Sequence, residues 1–159
     1  FNQDQVANSL MLIAVSMIVG YVVIGTIAYH FSKRGINSMT IALVGMGIFI
    51  LTQIILAFHP VYFARSAWML FGFFSTSSIL TYAALSQRFS AQYAGRANTA
   101  LNFLVFVVGF FIQWGIGAVI DTFPSNTVGS YASEGYQQVF IYLIIVQAAC
   151  LAWYALSRR

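Results

Sequence analysis

Leu10–Tyr29 reads LMLIAVSMIVGYVVIGTIAY and carries no charged side chain. A helix crossing the ~30 Å hydrocarbon layer needs about 20 such residues at a rise of about 1.5 Å each. Four further stretches pass the same test: Met39–Phe58, Ala67–Ala84, Ala100–Ile120 and Val139–Leu156 are all free of charge. The chain as a whole is 60% apolar and 6% charged, against about 25% charged in an average soluble domain. Five apolar helices in 159 residues would leave nothing to cover them in water. The apolar runs do not alternate with period two, so lipid-facing barrel strands are excluded. Helices satisfy their backbone groups within the segment, as lipid demands. The sequence therefore predicts an all-α integral membrane protein with five transmembrane helices in one membrane domain. The spans fall at about 6–31, 37–59, 64–86, 98–121 and 136–157.

The charges divide by side. With five crossings, Lys33, Arg34, Arg88, Arg96, Arg158 and Arg159 share one face of the membrane. Asp4, Arg65, Asp121 and Glu134 share the other. Basic residues concentrate on the cytoplasmic side, which predicts a cytoplasmic C-terminus in a multi-pass protein of the cell membrane. The net charge of +4 is split among three loop ends beside lipid, so anionic headgroups are the expected partner and nucleic acid is not. Phe1-Asn2-Gln3-Asp4-Gln5 lacks the positive start of a signal peptide, and the chain is expected to start inside a longer protein or after processing. The single cysteine, Cys150, reads as a small apolar residue.

Punctuation marks the connections. Gly35 suits the end of the first helix and Asn37-Ser38 the cap of the second. Pro60 disfavours continued helix after His59. Gln87–Arg96 reads as a polar connection of ordinary loop length with room for some helix. Thr122–Gly135 reads as the longest loop, rich in turn residues. Glycines within the spans, among them Gly20, Gly45, Gly47, Gly109 and Gly117, are expected to bring helices close together.

Two connections resemble cytoplasmic loops of the major facilitator superfamily. In Gly25–Arg34, Gly25, Lys33 and Arg34 fit the family's loop motif, while Tyr29 stands for its acid, His30 for its first Arg and Ser32 for its second Gly. In Arg88–Ala97, Gly95-Arg96 leads into a Gly-rich helix ending Gly117-Ala118-Val119-Ile120-Asp121, which looks like the passage from helix ten to helix eleven. The resemblance implies helices eight to twelve of twelve, most of the C-terminal six-helix half. It further implies a secondary active transporter working by alternating access. The implied partners are the remaining N-terminal part of the same transporter and a small-molecule substrate. Through its open face the isolated piece is expected to self-associate.

Polar residues inside a span tend to face the bundle or a cavity. The third span is the richest. Ser75, Ser78 and Tyr82 share a face by the i, i+3, i+7 spacing, with Trp68 above them. On the fourth span, Asn102 and Gln113 fall on one stripe with Phe106, Gly109 and Gly117. These six polar and aromatic residues are the candidate substrate pathway, although a helical Ser or Thr often satisfies itself on its own helix. Gln53 and Gln147 are expected to serve structural bonding. Arg65 and Asp121 fall at helix ends and the charge-free middle of each span carries no acid or base, so a neutral or amphipathic solute fits best. No phosphate loop, metal-ligand cluster or nucleophile with a paired base occurs. No cofactor, no metal and no enzymatic activity is therefore expected. A structural or assembly subunit of a membrane complex is the alternative reading.

Overall fold

The computed structural model describes residues 3–58, 64–123 and 132–157. The elements are α1 (Gln3–Ser32), α2 (Ser38–Phe58), α3 (Ala64–Ser75), a 3-10 turn (Thr76–Ile79), α4 (Leu80–Ser86), α5 (Ala91–Asp121) and α6 (Ser133–Ser157). No strand occurs among the described residues. Five helices, counting α3, the turn and α4 as one, are long and apolar enough to cross a membrane. The protein is thus a multi-pass, all-helical membrane protein.

Two connections show how local chemistry sets the helix ends. At the close of α1, Gly35 takes φ +80°. The Gly35 N–H donates to the Ser32 carbonyl at 3.0 Å and the Ile36 N–H to the Phe31 carbonyl at 3.1 Å. That is the Schellman pairing, which needs a left-handed residue in this position. At the start of α2, the Asn37 side chain accepts from the Met39 N–H at 2.8 Å. This satisfies one of the four donors that a helix start leaves open. Gly35→Ala is expected to lower stability by about 1 kcal/mol, because a Cβ disfavours that backbone region. Thermal unfolding in detergent measures it, and an unchanged midpoint would mean the turn relaxes freely.

Three helices begin earlier than the sequence predicts, the first of them α1, at Gln3 rather than near Val6. α5 starts at Ala91 rather than near Asn98, so Gly95 and Arg96 lie on a helix and the connection shrinks to residues 87–90. Ser90 is extended (φ −61°, ψ 153°), and between Ala91 and Ala97 Gly95 is the one glycine. A single helical glycine costs about 1 kcal/mol, too little to break a 31-residue helix. α6 starts at Ser133 rather than Tyr136. Glu134 lies in its first turn, where a negative charge suits the helix dipole. The predicted loop around Pro60 and most of the loop after Thr122 fall outside the described residues, as do His59, Arg158 and Arg159.

The third span is the hub. α3 packs against α1 and α2, α4 against α2 and α5, and α6 against α2 and α5. The buried apolar core is small: Ile24, Ala28, Ala42 and Leu80, with Met39, Ile41 and Phe73 against it. Lipid tails are as apolar as leucine, so close packing and interhelical hydrogen bonds must hold the bundle instead. Both occur. Thr76 and Ser77, each 1% exposed, wedge between α1 and α2. They fit because Gly20 of α1 faces Thr76 and Gly45 of α2 faces Ser77. Gly72 of α3 receives the Ile13 backbone of α1 in the same way. α5 lies at the margin, with no buried residue along its length.

Candidate functional site

The middle of the third span is where the polar side chains gather. Ser75-Thr76-Ser77-Ser78 puts four hydroxyls in succession. Ser75 Oγ donates to the Gly72 carbonyl at 2.7 Å, Thr76 Oγ1 to Phe73 at 2.6 Å, Ser78 Oγ to Ser75 at 2.9 Å and Thr81 Oγ1 to Ser78 at 2.6 Å. Each bond reaches back three residues, the spacing of a 3-10 turn, and such back-bonding competes with regular helix. The helix tightens here for that reason. Ser77 Oγ is the exception: it is buried with no hydrogen-bond partner.

The six candidate pathway residues separate into two sites and two outliers. Ser75 and Ser78 line an open-sided cavity of about 600 Å³ bordered by α2, the third span, α5 and α6. Met39 and Met46 of α2 and Gln147 and Cys150 of α6 form much of its wall. No lining residue is charged. Tyr82 and Asn102 meet elsewhere: the Tyr82 hydroxyl donates to Asn102 Oδ1 at 3.1 Å, joining α4 to α5. They border an open groove of about 460 Å³ with Ile79, Asn98 and Thr99. Asn98 donates to Ser86 Oγ at 2.8 Å, while its own carbonyl oxygen is buried and unpaired. The shared face read from the sequence divides here because α5 packs beside α4 while α6 packs against α2.

Trp68 and Gln113 join neither site. Trp68 stacks edge-on against Phe71 at 5.4 Å and Phe140 at 6.1 Å. It also borders a smaller cleft with Ser9, Leu10 and Ile13 of α1. Seven residues of helix, about 10 Å of rise, part it from Ser75. Gln113 is exposed on the bare face of α5, as are Asn102, Phe106, Gly109 and Gly117.

The basic turn after α1 is built on aromatic rings. Lys33 Nζ lies 4.3 Å from the centre of the Tyr29 ring, and Arg34 sits over Phe31 at 5.9 Å. Exposed contacts of this kind contribute about 0.5–1 kcal/mol. Tyr29 thus faces a cation. His30 Nδ1 donates to the Thr26 carbonyl at 2.9 Å. Gly25 lies within α1 with open space beside it.

Sequence reading assigned Gln147 a structural role only. It has one: Gln53 Nε2 donates to Gln147 Oε1 at 2.9 Å, and Gln147 Nε2 returns a bond to Gln53 Oε1 at 3.3 Å. It also lines the large cavity. Gln147 and Ser75 are 72 positions apart, and no spacing rule connects them. No protein-family model matches this chain, and comparison with curated proteins and with solved structures finds no match either.

Proposed function

We propose that this chain is part of a secondary active transporter of the major facilitator type, moving a small neutral solute across the cell membrane by alternating access. The observation that carries the reading is the 3-10 turn within the third span. That span is the hub of the bundle, it tightens at mid-length, and its polar side chains border a cavity and a groove. A mid-helix 3-10 stretch often marks a functional hinge, and irregular backbone is tolerated in lipid only beside protein or a water-filled space. The unburied length of α5 supports the reading too, since the missing half of such a transporter would cover it. In this reading Lys33, Arg34 and Arg88 lie in the cytoplasm. Cysteine substituted at Arg34 is then expected to react with a membrane-impermeant maleimide only from that side, and cysteine at Glu134 only from the other. The opposite pattern would reverse the topology.

The native size of the polypeptide tests the proposal. An antibody against α6, used on membranes of the source cells, is expected to detect a species of about 40–45 kDa, which supplies roughly seven more helices of about 20 residues each with loops. A species at 17.6 kDa, the mass of this chain, would sink the transporter reading. The second reading, a subunit of a membrane complex, would then stand. The same bare face of α5 favours it, with another protein as the cover.

A further inference from the structure

We infer that the cavity among α2, the third span, α5 and α6 is a binding site for a neutral, largely apolar small molecule bearing a hydroxyl or amide group. As a substrate site it rests on the transport reading; as a binding site it does not. Its volume of about 600 Å³ falls within the ~300–1,000 Å³ typical of sites for drug-sized molecules. Its walls exclude ions, since no charged side chain lines it and a bare charge in such surroundings is strongly disfavoured.

The few polar atoms define what the molecule must carry. Ser75 and Ser78 spend their protons on the Gly72 and Ser75 carbonyls, which leaves their oxygens free to accept. Gln147 has two N–H groups and gives one to Gln53. The site therefore offers acceptors on the third span and a donor on α6. A hydroxyl or amide, which both donates and accepts, meets both. Met39 and Met46 opposite supply flexible, polarisable walls that adapt to an apolar body.

Photolabelling of the purified protein with 4-(hydroxymethyl)benzophenone tests the inference. The probe is neutral and mostly apolar, carries one hydroxyl, and inserts readily at methionine. Labelling should saturate and map by mass spectrometry to Met39, Met46 or Cys150. It should be lost on competition with unreactive 4-(hydroxymethyl)biphenyl, and in Ile112→Trp, which projects bulk into the cavity from the margin of the bundle. Cys150→Trp fills the site from α6 and serves if the first variant elutes as aggregate. Labelling that never saturates, or that maps to the exposed side of α1, would overturn the site. So would labelling lost in phospholipid nanodiscs, since acyl chains would then occupy the cavity. Saturable labelling without solute flux in vesicles holding the native full-length polypeptide would retire the transport reading and leave the site. Flux without labelling would do the reverse.

Discussion

Gly45→Leu is expected to unfold the bundle, lowering stability by about 3 kcal/mol or more. A Cβ at Gly45 would overlap Ser77 Oγ and lie 2.5 Å from Ser77 Cβ. Ser77 cannot yield, because it is 1% exposed and its neighbour Thr76 is wedged against Gly20. At Gly20 a Cβ would meet the Phe73 carbonyl at 2.6 Å, so the turn is gripped from both sides. Overpacking a tight site costs about 1–3 kcal/mol when side chains can shift, and more when backbone must move. Leucine adds three further carbons beyond that Cβ. The control lies two residues away: Gly47 has nothing within 4 Å of its would-be Cβ, so Gly47→Leu is expected to change little. The thermal midpoint in detergent, followed by tryptophan fluorescence, separates the two. Ser77→Gly should recover part of the loss in Gly45→Ala. Equal midpoints for the two leucine variants would show that α2 and the third span do not meet as described.

Gln53→Leu is expected to cost about 1–2 kcal/mol, while the double variant Gln53→Leu/Gln147→Leu should recover most of it. Gln53 is 1% exposed, and its amide pairs reciprocally with Gln147 between α2 and α6. Removing one amide strands the other between the helices, and a stranded buried polar group costs about 1–3 kcal/mol. Removing both leaves two apolar side chains of similar size, which lipid-embedded helices accept. Interhelical hydrogen bonds in membranes are worth about 0.6–2 kcal/mol, so the coupling should be measurable but modest. A double-mutant cycle on the same thermal midpoint checks it. Strict additivity of the two single changes would mean the amides act independently.

The two predictions draw on different information. That Gly45 sits on a spanning helix is visible in the sequence; that it faces Ser77, while Gly47 faces open space, is not. Sequence reading grouped both as close-approach glycines and passed over Gly72, which makes such an approach. A glycine carries no side chain whose periodicity would reveal its direction. The same limit applies to the pathway candidates. Helical spacing correctly joins Ser75 to Ser78, but it cannot say that α6 brings Gln147 to them while α5 brings Asn102 to Tyr82.

What the sequence determined by itself is the solvent of this protein and the number of its crossings. Hydrocarbon accepts only uncharged segments of a certain length with their backbone bonds closed internally, and both properties are local. It also determined the cap at Asn37 and the left-handed turn at Gly35, which depend on neighbours along the chain. The tertiary structure alone decided which helices touch, where the third span tightens against Gly20 and Gly45, and which polar groups share a cavity. In lipid the outside of a helix is as apolar as its packed face, so hydropathy cannot distinguish them. The distinction rests on shape, a property of pairs of helices far apart in the chain.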